Sequence, residues 1–183
     1  DLTPDSIAAM EAQLTTAASL LPPAGFDVVG YACTSGTAQI EADRVGDLVR
    51  AGVQTRHVTN PLSAALAAFA DRGVARVGIV SPYVASVAAP LRTAFMDAGI
   101  EVPDTVSFGE EIEARVARIA PKSIANAARA LVARSAMDAV FLSCTNLRTF
   151  DILPMLEAEL GMPVFSSNQV LAWHMARLAG QGV

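Results

Sequence analysis

Cys33 and Cys144 are the only thiols in a chain of 183 residues, and each closes the same frame. Asp27-Val-Val-Gly-Tyr-Ala-Cys33-Thr34 and Asp138-Ala-Val-Phe-Leu-Ser-Cys144-Thr145 both read D-x-V-x-x-x-C-T. A thiolate is a nucleophile and a thiol is an acid, so a matched pair facing one cleft can supply both functions. Thr34, Ser35, Gly36 and Thr37 follow the first cysteine, and Thr145 and Asn146 follow the second. These turns are rich in hydroxyl, amide and backbone donors, which suit two carboxylates. Tyr83 ends a separate apolar run, and its hydroxyl could reach the same cleft. The ordinary alternatives are a buried structural role for each cysteine and turn or cap duty for the hydroxyl residues. The repetition favours a catalytic pair.

The elements that must position these residues follow from the pattern around them. Each cysteine ends a β-branched run and gives way to a polar turn and a helical pattern, the strand-to-helix edge where α/β sheets bind ligands. Thr3-Pro4 opens a first helix that carries Ile7, Met10 and Leu14 and stops at Pro22-Pro23. The first cysteine strand spans about 27–33, followed by a helix over 37–51, a strand over 53–58 and a helix from Asn60-Pro61 to Gly73. A new unit starts with a strand at 77–80, then a helix over 84–98, a strand over 100–102, an acidic loop and a helix over 121–135. The second cysteine strand spans 138–144, followed by a helix over 149–160, a strand over 163–165 and a last helix from Asn168. The alternation predicts an α/β protein with doubly wound parallel sheets.

The repeat divides the chain into a first half, 1–75, and a second half, 76–183, related by a pseudo-twofold. Asn60 lies 27 residues after Cys33 and Asn168 lies 24 after Cys144, each at the opening of a helix. Only 32 residues precede Cys33, whereas 67 separate Val77 from Cys144, so about 35 residues of the first half are expected before Asp1. They would hold its N-terminal strand.

Composition narrows the function. With 52% hydrophobic and 17% charged residues, the chain can bury a large core, and it contains no apolar run of membrane-spanning length. A net charge of −5 without a basic cluster argues against nucleic acid and membrane surfaces as partners. Two distant cysteines and two isolated histidines make neither a disulfide framework nor a metal site, so a cytoplasmic setting is expected and no metal or cofactor is implied. His57 and His174 have no repeat partners and read as structural. Glu110, Glu111 and Glu113 with Arg115 and Arg118 read as a solvated, ion-paired helix start.

Y-A-C-T-S-G-T, S-C-T-N-L-R-T and G-M-P-V-F-S-S-N-Q together resemble the two cysteine motifs of the maleate cis-trans isomerase group. That group includes ectoine-utilisation proteins and lies within the aspartate/glutamate/hydantoin racemase superfamily. The resemblance covers nearly the whole chain and implies two flavodoxin-like halves, no cofactor and a small carboxylate substrate between the cysteines; a homo-oligomer is expected. It places the nucleophile on Cys33, the acid/base on Cys144 and substrate contacts on Thr34, Ser35, Tyr83, Thr145 and Asn146. Two features depart from the group: the strand and loop bearing a substrate-binding asparagine are not in this sequence, and Glu110 to Arg115 stands where the isomerases carry another. Arylmalonate decarboxylases of the superfamily use one cysteine, so the pair counts against that activity. The expected reaction is maleate to fumarate isomerisation. A two-base racemase of amino acids or hydantoins, a related ectoine-degradation protein and a non-catalytic binder of small ligands are the alternatives.

Overall fold

A computed structural model describes residues 3–182. Thr3 caps α1 (Pro4–Ser19) through a reciprocal capping box with Ser6. The first half continues with β1 (Phe26–Gly30), α2 (Thr34–Ile40), α3 (Ala42–Gly52), β2 (Thr55–Thr59) and α4 (Pro61–Arg72). Asn60 caps α4 by accepting the Ser63 N–H at 2.8 Å, and Gly73 ends it in the left-handed region. The second half comprises β3 (Val77–Tyr83), α5 (Ala85–Asp97), β4 (Thr105–Glu110), α6 (Glu113–Val116) and α7 (Pro121–Arg134). It ends with β5 (Ala139–Leu142), a 3-10 turn (Phe150–Ile152), α8 (Leu153–Leu160), β6 (Val164–Ser166) and α9 (Ser167–Leu178).

All strand pairs are parallel, as the alternation of elements predicts. β1 and β2 form one sheet, and the order β4-β3-β5-β6 forms the other. One face of the larger sheet buries Phe141 and Phe165 against Phe69 of α4 and Phe95 of α5, in edge-to-face pairs 5.2 to 6.0 Å apart. Its other face buries Val80, Val140 and Leu142 with Ile124, Ala128 and Leu131 of α7 and Leu156 of α8. A smaller core joins Leu14 and Ala18 of α1 to Val45 and Val49 of α3. The repeat aspartates anchor matching strand starts: Asp27 meets Arg56 at 3.4 Å, and Asp138 meets Arg76 at 2.8 Å.

Several boundaries differ from the sequence expectation. The strand expected over 100–102 is reduced to a single bridge between Arg76 and Glu101, and the real edge strand is β4, inside the stretch read as an acidic loop. Pro103, lacking an N–H, interrupts the ladder between them. The helix expected over 37–51 is two helices, broken at Glu41 with φ 78°. The first turn expected for the helix over 149–160 is the 3-10 turn, and α8 proper starts at Leu153. Asn168 does not cap α9; Ser166 does, in a capping box with Gln169.

Candidate functional site

Cys33 follows β1 of the smaller sheet and Cys144 follows β5 of the larger, and hydrogen bonds between their turns link the two segments. Cys33 lies three residues past β1 as the N-cap of α2, half-buried, with its Sγ accepting the Gly36 N–H at 3.3 Å and standing 3.8 Å from Ser35 Oγ. An N–H aimed at sulfur is the contact a thiolate takes. Cys144 is different. It lies two residues beyond β5 at φ 111°, and the expected polar turn follows it at Thr145 and Asn146, so that the helix expected next begins only with the 3-10 turn at Phe150 and the sulfur is not at a helix start. That backbone is strained for a residue with a Cβ, by about 1–3 kcal/mol, and it is held by surrounding hydrogen bonds.

The strongest of these restraints was not visible in the sequence. Ser167 Oγ, fully buried at the start of α9, accepts the Cys144 N–H at 3.0 Å and the Thr34 hydroxyl at 2.8 Å. One serine oxygen therefore ties the turn after Cys33 to the backbone of Cys144. Thr145 adds a second tie by donating to the Ala32 carbonyl at 2.9 Å, and Asn168 Nδ2 donates to the Thr145 carbonyl at 2.7 Å. Ser167 sits in the quoted Ser-Ser-Asn motif, and only its position beside a repeat element could have drawn notice.

Tyr83 ends β3, where the register with β4 slips, and is buried with its hydroxyl donating to Cys144 Sγ at 2.7 Å. The Asn146 N–H reaches the same sulfur at 3.2 Å. Burial nonetheless dominates and pushes the Cys144 thiol up to about 11, with the charges of Glu113 and Cys33 acting in the same direction and the two hydrogen bonds against it. Cys144 is thus held as a thiol at neutral pH. Burial, the charge of Cys144 and the hydrogen bond to it push the Tyr83 phenol well above its usual range.

A second tyrosine escaped the sequence reading. Tyr31 precedes Cys33 by two residues, and its buried hydroxyl makes no hydrogen bond of good geometry among the described residues, although the Cys33 sulfur stands near it. A Cβ built on Gly36 would stand 2.5 Å from that hydroxyl and 3.0 Å from Cys33 Sγ, so this glycine leaves the phenol and the sulfur facing each other without an intervening side chain. Burial and then the charge of Cys33 raise the Tyr31 phenol.

Cys33, Ser35, Tyr83, Thr145 and Asn146 line one cavity of about 300 Å³, together with Met10 of α1 and Glu113 of α6. Neither Cys144 nor Thr34, each 2% exposed, is among the lining residues: Cys144 lies behind Tyr83 and Asn146, which contact its sulfur, and Thr34 works through Ser167. Asn146 is already engaged, its Nδ2 donating to Glu113 Oε1 at 2.8 Å. The expected ion pairing of the Glu110 to Arg118 cluster is absent among the described residues. No group of three or more His, Cys, Asp and Glu side chains that could hold a metal occurs among the described residues, and no helix among them is long and apolar enough to cross a membrane.

The site can be compared with those of known proteins. The chain is 32% identical over 111 residues to the arylmalonate decarboxylase of Bordetella bronchiseptica, an alignment covering 60% of this chain and 46% of that protein, a little under half its length. A liganded mutant of arylmalonate decarboxylase superposes with a TM-score of 0.89 at 27% identity, covering 100% of this chain and 79% of that one. The maleate isomerase Iso of Pseudomonas putida gives 0.87 at 22% identity over 98% of this chain and 75% of that one, a likeness of fold. The maleate cis-trans isomerase of Nocardia farcinica, in a mutant with a covalently bound succinylcysteine intermediate, gives 0.88 at 21% over 98% and 76%. The arylmalonate decarboxylase family model matches residues 1–183, and the chain belongs to that family, within the aspartate/glutamate/hydantoin racemase superfamily.

Proposed function

We propose that the protein is a cofactor-independent isomerase of a small carboxylate, acting through Cys33 and Cys144, with cis-trans isomerisation about a carbon–carbon double bond, as in maleate to fumarate, as its concrete form. The observation that carries this reading is the unequal setting of the two thiols. Cys33 opens onto the cavity with an N–H at its sulfur, while Cys144 is kept protonated by burial beside the Tyr83 hydroxyl. This difference favours Cys33 as nucleophile and Cys144 as acid.

In the forward step the Cys33 thiolate forms a C–S bond to one alkene carbon. The π pair moves to the neighbouring carbon, which takes the proton of Cys144. Rotation about the new single bond follows. The Cys144 thiolate then recovers the proton, the C–S pair returns to Cys33 and the double bond reforms in the trans geometry. The Ser35 hydroxyl on the cavity wall and the N–H groups at the start of α2 stabilise charge gathering on the substrate carboxylate. The covalent succinylcysteine described for the Nocardia farcinica isomerase is the adduct this scheme passes through when the substrate is maleate.

The test is turnover by Cys33→Ser and Cys144→Ser proteins that retain wild-type circular dichroism. Each is expected to lose activity by about 10³-fold or more, because serine replaces neither a thiolate nor a thiol acid. Mass spectrometry of Cys144→Ala should show an adduct on Cys33. Near-normal turnover by either serine variant overturns the two-thiol reading, whereas racemisation of an amino acid or hydantoin without any adduct assigns the same pair to two-base proton exchange.

A further inference from the structure

The cavity beside Cys33 has one charged side chain in its wall, and that side chain is an acid. Glu113 opens α6, is half-buried, and pairs with no lysine or arginine among the described residues; none of them lines the cavity. Its charge reaches the reacting groups, since it helps to raise both the Cys144 thiol and the Tyr83 phenol. Asn146 spends its amide N–H on Glu113 through the 2.8 Å bond to Oε1 and a longer contact of 3.4 Å to the Glu113 carbonyl. What this wall offers a ligand is therefore acceptors, Glu113 Oε2 and Asn146 Oδ1. A compound with a carboxylate at each end would bring one of them against Glu113, where like charges in a partly dry site oppose binding by about tenfold or more.

We propose that the substrate is a monocarboxylate whose second polar end carries a nitrogen-bound hydrogen, either an amide N–H or an ammonium, received by Glu113 and the Asn146 carbonyl. The inference rests on the two-thiol isomerase reading and narrows its substrate. The carboxylate belongs at the Ser35 and Cys33 side, where the Ser35 hydroxyl is a donor in the cavity wall and no acidic side chain stands. The N–H end belongs at α6. A neutral amide lacks the repulsion, and an ammonium converts it into attraction.

The experiment compares maleate, its cis monoamide and cis-4-aminobut-2-enoate on the full-length protein, by kcat/KM for the trans product and by protection of Cys33 from brief iodoacetamide labelling. At least one of the two nitrogen-bearing compounds should exceed maleate by about tenfold or more in both readouts. Success of the monoamide alone assigns an amide, and success of the amine an ammonium. In Glu113→Gln the margin over maleate should shrink by a similar factor, because the charge is removed while an acceptor oxygen remains. Maleate matching or beating both compounds in protecting wild-type Cys33 overturns the inference, as does an unchanged margin in a folded Glu113→Gln protein. Protection without turnover keeps the inference and removes the isomerase reading; efficient maleate turnover with no preference does the reverse. Absence of protection by all three removes the inference whatever the variant does.

Discussion

Each thiol of the pair is matched to a tyrosine, but the two matches differ. Tyr83 donates to Cys144 at 2.7 Å from a neighbouring strand, whereas Tyr31 comes from the same segment as Cys33 and approaches its sulfur over Gly36 without a well-formed hydrogen bond. The Cys144 pair has a measurable consequence. Its thiol titrates near 9.0 in an open chain and about 11 in the fold, so the folded protein holds this proton more tightly than the unfolded chain. The corresponding stability is fully present below about pH 9 and is lost as pH rises through about 11, by roughly 3 kcal/mol at most. Urea unfolding at pH 8, 9.5 and 11 should show a steeper alkaline loss in wild type than in Cys144→Ala, which keeps Cys33 but lacks the buried Cys144 thiol. Parallel losses in the two proteins would refute the assignment. At this scale Cys33, Cys144 and the turns beside them were legible because the frame occurs twice. Ser167 stands where the first half has Thr59, but its role depends on distances between segments far apart in the chain, and that of Tyr31 on a rotamer over Gly36.

Elements were legible where one periodicity dominated. Helices α1, α4, α5 and α7 lie within a few residues of their expected ends because proline, asparagine or glycine punctuates them. β4 was missed because Gly109 and its polar residues dilute the alternation of an edge strand, and the α2–α3 break because Glu41 is a non-glycine residue at positive φ. The close packing of α1 on α3 depends on a glycine. A Cβ on Gly52 would collide with the Thr15 carbonyl oxygen and stand 3.0 Å from the Ser19 nitrogen, both backbone atoms that cannot move aside singly. Gly46, in the same helix, would meet only the Arg50 guanidinium at 3.0 Å, the far end of a flexible side chain. Gly52→Ala should therefore cost about 2 kcal/mol or more by forcing the helices apart. Gly46→Ala should be neutral, or stabilising by up to about 1 kcal/mol from helix propensity. Thermal unfolding of the two variants checks the contrast, and equal midpoints would show that α1 does not pack on α3 at this distance.

The two sheets are joined by an exchange of helices. α4 leaves the smaller sheet to cover the larger one, and α9 leaves the larger sheet to pack on α4 and on β1 and β2. Because α9 begins with the Ser167 that binds both cysteine turns, the helix that joins the sheets also assembles the site. Arg177 fastens it to α4 by a 2.7 Å ion pair with Asp71 while lying 5.3 Å over the Trp173 ring. His174 fastens it to β2, where its Nδ1 is 2.8 Å from the Thr59 hydroxyl. Burial first, and then the charge of Arg177, hold the His174 pKa below the ordinary histidine value. Protonation is therefore easier in the unfolded chain, so this contribution to stability is present above the ordinary value near pH 6.5 and is lost as pH falls through the depressed folded value. The Thr59 hydroxyl can accept from a protonated Nδ1, so the cost of charging His174 comes from its burial and from Arg177 rather than from loss of this bond. Between pH 7.5 and 5.5, above the range where ordinary carboxylates titrate, the urea midpoint of wild type should fall, and that of His174→Gln should change less. Over the same interval Cys33 should become easier to alkylate in wild type, as release of α9 loosens the Ser167 contacts. A variant whose midpoint falls as steeply as wild type would show that the acid sensitivity lies elsewhere, and unchanged Cys33 labelling would separate the latch from the site.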